Sequence, residues 1–165
     1  MPRIIAFDTE TTGLNPEKDE VLQLAIVDEN GSTLFNEYFK PQRHTSWDEA
    51  ERIHMISPQQ VQWGFSLEQS VQRVSDILNS ASTVIGYNVG FDVQFLQHAG
   101  VSVPRTYDVM KEFSEIYGEW NEYFKNYKWQ SLSKCAEYYG YKFSAHNALE
   151  DAKATVFCYR KMKGV

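Results

Sequence analysis

No apolar run in this chain approaches the roughly 18 residues that a membrane-spanning helix needs. The N-terminus offers one Arg and a short apolar run ending in Asp8, which is not the pattern of a secretory signal peptide. Cysteine is scarce. Cys135 and Cys158 stand far apart without C-x-x-C spacing, as expected of small, reduced core residues in a cytoplasmic protein. Positive charge is also in deficit: 16 Lys and Arg against 22 Asp and Glu leave a net charge of −6. That balance argues against a broad, non-specific grip on duplex nucleic acid, which relies on many cationic contacts to phosphate. It leaves room for a site that takes a short strand end, because bound divalent cations can supply the missing charge. There is no internal repeat, low-complexity tract or Pro/Ser-rich linker, so residues 1–165 are expected to form a single domain.

What is present is a chain with 42% hydrophobic and 15% aromatic residues, enough for a substantial core. Its first forty residues read as strands over 3–8, 21–28 and 33–40, the last two joined by the "DENGS" turn as an antiparallel hairpin. From Ser46 the pattern turns helical, with a capping box at Ser66 and Gln69 opening a helix over 67–79. A short strand "TVIGY" at 83–87, a helix over 90–99 stopped by Gly100 and a fifth strand "RTYDV" follow. Helices are expected over 109–127, 131–139 and 147–162. Strands first, then alternating strand and helix, indicate an α/β fold around a mixed sheet.

Within that frame, "IIAFDTETTGL" at 4–14 places two carboxylates where the core should continue. On a strand, Asp8 and Glu10 share one face behind Ile4 and Ala6, while Ile5, Phe7 and Thr9 take the other. Buried side by side, two like charges would force one to protonate. The plainer alternative puts Glu10 in an exposed loop and makes Asp8 a turn cap. Asp92, in "YNVGFDVQFL", falls in the first turn of a helix, where an acid also complements the helix dipole. Asp151 is harder to explain structurally. In "HNALEDAKATVFCYRKM", Asn147 and Glu150 already supply a capping box, and Asp151 shares a helical stripe with Ala148, Thr155, Cys158 and Met162. An acid on that inward stripe needs a partner, and a metal ion is the economical one. His146 stands five residues ahead of Asp151, where a neutral imidazole is suited to taking a proton from water. Hard oxygen ligands without Cys or multiple His select Mg²⁺ or Mn²⁺ over zinc. A pair of such ions serves displacement at phosphorus.

The order "FDTETTG", "NVGFD", "HNALEDA" resembles the three exonuclease motifs of the DEDDh family. These DnaQ-like 3′→5′ exonucleases include the proofreading epsilon subunit of bacterial DNA polymerase III. The resemblance runs from residue 4 to about 155 and implies a ribonuclease-H-like fold, a five-stranded mixed sheet with flanking helices. It implies that Asp8, Glu10, Asp92 and Asp151 hold two divalent cations, with His146 as general base. Thr11 and Gly13 resemble the segment whose backbone receives the terminal nucleotide, Leu14 a residue packed on its base, and Asn88 the motif's asparagine near the site. "ERIHMIS" at 51–57 is similar to the element lining the 3′-terminal base pocket, which brings in His54 and Met55. The family usually has Gly where this chain has Met55, which puts the local backbone path in question.

The resulting expectation is a metal-dependent 3′→5′ exonuclease releasing nucleoside 5′-monophosphates from single-stranded ends, DNA favoured over RNA. RNA end trimming is the alternative. A non-catalytic end-binding or polymerase accessory subunit is a second one, which intact carboxylates and His146 argue against. A polymerase partner would be expected to use a tail; the last helix nearly reaches Val165, which favours a free-standing enzyme. His44 and His98 are expected to be structural or exposed. Phe113, Tyr117, Trp120, Phe124 and Tyr127 recur at spacings of three and four, reading as one stripe of a helix packed on the core. Base stacking, with Lys125 and Lys128 alongside, and docking of a partner protein are the other readings of that stripe.

Overall fold

The first half of strand β1 (Ile4–Thr11) is apolar without alternation because both of its faces are covered. The computed structural model describes residues 3–165. β1 pairs antiparallel with β2 (Val21–Asp28), which pairs antiparallel with β3 (Thr33–Tyr38). On its other side β1 pairs parallel with β4 (Thr83–Gly86), and β4 pairs parallel with β5 (Thr106–Asp108). The sheet order β3-β2-β1-β4-β5 is the expected mixed five-stranded sheet.

Helices cover both faces. On one, Ile5, Phe7, Leu24 and Ile26 pack against Val74 and Leu78 of α3 (Val71–Asn79) and Phe95 and Leu96 of α4 (Val89–His98). On the other, Ala6, Val27 and Ile85 meet α5 (Val109–Tyr117), α6 (Leu132–Tyr138) and α7 (Ala148–Lys163). The short helices α1 (Asp48–His54) and α2 (Pro58–Val61) enclose a third cluster of Leu22, Trp47, Ile56 and Val61. Leu22 reaches that cluster because the β1–β2 ladder slips beside Glu10, pairing Thr11 with Val21.

Three expectations are corrected. The first strand does not stop at Asp8 but runs to Thr11, so Glu10 is a strand residue and not part of an exposed loop. Ser66 makes no side-chain cap and opens a 3₁₀ turn at Leu67–Ser70; the capping box forms instead at Ser57 and Gln60, before Pro58–Val61. The third concerns the helix read over 109–127, which ends at Tyr117 with Gly118 left-handed at φ 77°. Beyond it, Asn121 Oδ1 accepts from the Tyr123 and Phe124 N–H groups, and a two-stranded hairpin forms from Trp120–Asn121 and Asn126–Tyr127. Phe113 is buried, but Trp120, Phe124 and Tyr127 are exposed, so the stripe is not a core helix face.

Gln23, buried in the middle of β2, ties the sheet to the helix that carries Asp151. Its Oε1 accepts from Ala148 N at 3.1 Å, and its Nε2 donates to Asn36 Oδ1 at 3.0 Å. Asn147 completes the cap by accepting from Leu149 and Glu150 N–H, while the Glu150 side chain turns to Lys153, so the expected reciprocal box is half made. Gln23→Leu leaves the Ala148 N–H and Asn36 without partners. A loss of about 1–3 kcal/mol is expected, read as a fall in denaturation midpoint at unchanged denaturant slope.

Candidate active site

Asp8 and Glu10 lie on the α7 face of β1, beyond Ala6 and opposite Ala25 and Gln23 of β2. α7 crosses that face with Asp151 in its first turn, and one carboxylate oxygen from each of Asp8, Glu10 and Asp151 lies within 4.8 Å of the others. Asp92 approaches from α4 on the opposite face of the sheet. Its Oδ1 accepts from Thr9 N at 3.1 Å and from the Thr9 hydroxyl, which anchors it beside the trio rather than inside it. Sequence reasoning passed over Thr9; its only signal was its position between the two β1 acids, on the other face.

Burial sets the charge state here. It pushes Asp8 well above its ordinary value, with the carboxylates of Asp92, Asp151 and Glu10 adding to the effect. Glu10 is pushed up to about 8, chiefly by burial and then by Asp151 and Asp92. Asp92 and Asp151 both rise to about 7 through burial, opposed at Asp92 by the Thr9 hydroxyl and N–H and at Asp151 by the His146 N–H. Asp151 Oδ2 accepts that N–H at 3.3 Å, while its Oδ1 is buried with no hydrogen-bond partner. Close acidic oxygens, raised proton affinity and an orphaned buried acceptor fit a hard divalent cation. Asp8, Glu10 and Asp151 are the residues that would hold it.

His146 is exposed, with a left-handed backbone (φ 67°) that turns the chain into α7. Beside the acids lies an open cleft of about 500 Å³ between the Thr11–Leu14 segment and the Asp48–His54 helix, lined by Glu10, Gly13, Leu14, Ile53, His54 and Phe91. Leu14 and Met55 are exposed at 83% and 73%, so both are open to a ligand. Thr11 and His54 instead brace the wall. The Thr11 hydroxyl donates to Gly13 O at 2.6 Å, the His54 Nε2 lies 3.1 Å from Thr11 O, and Ile56 N donates to His54 Nδ1 at 3.0 Å. With both ring nitrogens engaged and burial lowering its pKa, His54 is a neutral strut. The Asp19 carboxylate packs directly under Gly13, so a Cβ added there would meet it at 2.5 Å and displace it. Asn88 is exposed and left-handed at the start of α4, its N–H held by Asp108 Oδ1 at 3.1 Å. His44 bonds Glu20 at 2.8 Å, and His98 lies in the last turn of α4, both away from the acids.

The sequence model of the RNase T family, described as Exonuclease, matches residues 5–159. The chain belongs to that exonuclease family. It is 29% identical over 171 residues to RNA exonuclease 4 of Aspergillus fumigatus, spanning 98% of this chain and 51% of that protein. It is 28% identical over 160 residues to the PolC-type DNA polymerase III of Thermotoga maritima, spanning 92% of this chain and 11% of the polymerase. The chain therefore covers about half the length of the first relative and about a tenth of the second. Its fold matches Escherichia coli exonuclease I, solved as a zinc-bound complex with single-stranded DNA, at a TM-score of 0.76 and 21% identity over 99% of this chain and 41% of that one. Exonuclease X in complex with 5′-overhanging duplex DNA matches at 0.74 and 17% over 98% and 91%. The DEDDh exonuclease family and ribonuclease-H-like sheet expected from the three motifs are those found.

In this exonuclease-family chain Met55, at φ 61°, caps the Asp48–His54 helix in the left-handed conformation that glycine adopts freely. The backbone path thus suits the glycine usual in the family. Met55→Gly is expected to stabilise the fold by about 1 kcal/mol, measured by denaturant titration.

The raised pKa values carry a pH signature. Between its ordinary 4.5 and about 8, Glu10 holds its proton more tightly folded than unfolded, so its contribution is complete below 4.5 and disappears as pH rises through 8. In chelator, Glu10→Gln should melt several degrees above wild type at pH 8 and alongside it at pH 4. Equal melting temperatures at pH 8 would show that Glu10 carries no such strain.

Proposed function

We propose that this chain is a 3′→5′ exonuclease that hydrolyses the terminal phosphodiester of single-stranded nucleic acid, DNA in preference to RNA. The observation that carries the reading is the convergence of Asp8, Glu10 and Asp151 at the head of an open cleft, with Asp92 anchored beside them by Thr9. Two divalent cations, Mg²⁺ or Mn²⁺, held by these four acids would offset the charge of the phosphate and make water more acidic. His146, exposed beside Asp151, takes the proton from the attacking water. The water oxygen bonds to phosphorus, the bond to the 3′-oxygen of the preceding nucleotide breaks, and that oxygen leaves with a proton. A nucleoside 5′-monophosphate is released.

In this reading the terminal nucleotide lies along Thr11 and Gly13, with its base against Leu14 and Met55, while His54 holds the wall behind it. Asn88 faces the strand from the start of α4. Buried, free Cys135 and Cys158 suit a reducing, cytoplasmic setting. Among the described residues, no helix is long and apolar enough to cross a membrane. A polymerase context is supported by the PolC-type relative. RNA trimming is the second reading, favoured by the likeness to RNA exonuclease 4 across nearly the whole chain.

The test is a time course on 5′-labelled DNA and RNA single strands of one sequence, in Mg²⁺ and in Mn²⁺. A ladder shortening from the 3′ end is expected, faster on DNA. Asp8→Ala should slow it at least about a hundredfold, the loss of several kcal/mol of charge stabilisation. His146→Asn should lower kcat by about 10²–10⁴. Faster RNA digestion would make trimming the function. No shortening of either strand in either metal would remove the exonuclease assignment.

A further inference from the structure

The hairpin that replaces the expected helix has no role in the site described above. It follows Gly118, and Gln130 joins its two ends, with Nε2 donating to Glu119 Oε2 at 3.2 Å and to Lys128 O at 3.1 Å. Its base is fastened to the sheet by Tyr87, whose hydroxyl donates to Gln130 O at 2.9 Å and to Ser131 O at 3.1 Å. Tyr87 directly follows the last residue of β4. β4 runs parallel to β1, so the hairpin is rooted at the end of the sheet that bears Asp8 and Glu10, next to Asn88 and the helix of Asp92.

Its surface is unlike the rest of this acidic chain. Tyr123, Phe124 and, just after the second strand, Trp129 are exposed at 86%, 68% and 63%, and with half-exposed Trp120 and Tyr127 they gather five aromatic rings within ten residues. Trp120 and Tyr127 pack edge to face at 5.2 Å, as do Tyr123 and Phe124 at 4.8 Å, an arrangement that leaves ring faces open. Each acid of the hairpin is neutralised locally, Glu119 by Lys128 at 2.7 Å and Glu122 by Lys125 at 2.9 Å. The Lys134 ammonium stands 4.4 Å from the Tyr117 ring centroid at the hairpin's base. On a chain of net charge −6, this is a charge-balanced aromatic surface that does not repel a phosphate backbone.

We propose that the hairpin at 119–128 is a stacking platform for the unpaired nucleotides on the 5′ side of the scissile phosphate. The proposal rests on the exonuclease reading and extends it: the substrate is a strand several nucleotides long, held by base stacking and read without sequence preference. Lys125 and Lys128 keep the hairpin's acids neutral beneath the strand.

The test uses the full chain and the double variant Tyr123→Ala/Phe124→Ala, whose side chains are exposed and free to be removed without opening the core. Two activities are measured in Mn²⁺: hydrolysis of thymidine 5′-monophosphate p-nitrophenyl ester, which is too short to reach the hairpin, and shortening of a twelve-nucleotide single strand. Binding of the same strand, fluorescein-labelled, is followed by anisotropy in chelator. The expected result is a rise in strand KM and Kd of about tenfold or more, with ester hydrolysis retained. Unchanged strand KM and Kd, with the ester still hydrolysed, would overturn the platform and leave the exonuclease reading standing. If wild type cleaves neither substrate, the exonuclease reading fails, and loss of anisotropy binding in the variant still reports strand capture by the hairpin. Sedimentation of both proteins covers the remaining occupant. A wild-type dimer that the variant dissociates, with strand binding unchanged, would make the hairpin a self-association surface and overturn the proposal.

Discussion

Mutual repulsion among buried carboxylates is the constraint around which the fold is arranged. Asp8, Glu10 and Asp151 bring oxygens within 4.8 Å of one another, and Asp92 adds a fourth negative group. Left to themselves, such groups would separate or neutralise. Separation is blocked because the acids sit on three rigid parts, Asp8 and Glu10 on β1, Asp151 on α7 and Asp92 on α4. β1 is clamped by a strand on either side, α7 is capped by Gln23 and Asn147, and α4 is fastened to β1 through Thr9. Neutralisation is what remains, and burial drives it by raising the proton affinity of all four. The same rigidity that stores this strain makes the cluster receptive to a cation, since closing around one requires no rearrangement of the acids.

Beside the acids, the chain devotes polar side chains to holding backbone. His54 and Thr11 fix the wall of the cleft, and the Asp19 carboxylate fills the space under Gly13. Met55 and His146 both adopt the left-handed conformation, which is costly for Met and less so for His, each at a helix terminus beside the site. A rigid cleft wall selects by shape, and its lining combines apolar surface with the carboxylates of Glu10, Asp19 and Glu49 and no Lys or Arg.

The strands, the antiparallel hairpin and the acids were legible because each leaves a local mark: apolar runs, the "DENGS" turn, and acids placed where a core should continue; the order of strands in the sheet was not. Two further things were not. Thr9, Gln23 and Asp19 act through contacts with residues distant in the chain, and nothing in a Thr or Gln on a strand says which helix it will meet. The aromatic segment misled for a different reason. Spacings of three and four fit a helix, but Gly118 and the side chain of Asn121 bend the backbone at once, and a hairpin of two residue pairs leaves no period to read. His54 lines the cleft, and nothing in the sequence shows that both its nitrogens are already bonded.

Charge and architecture together narrow how a polyanion can be held here. A chain with six more acids than bases cannot rely on counterion release along an extended basic track. On the proposed reading, attraction is concentrated at the terminal phosphate, where cations balance the carboxylates, and farther out it passes to rings whose π-faces carry no charge. On that reading the division favours strand ends over strand interiors, because a single terminal phosphate suffices to meet the acids beside the cleft. It also favours unpaired bases, since a base within a duplex offers no open face to an aromatic ring. On the proposed reading, a preference for unpaired strand ends would come from where the charge is placed and where it is withheld, without a side chain that reads sequence.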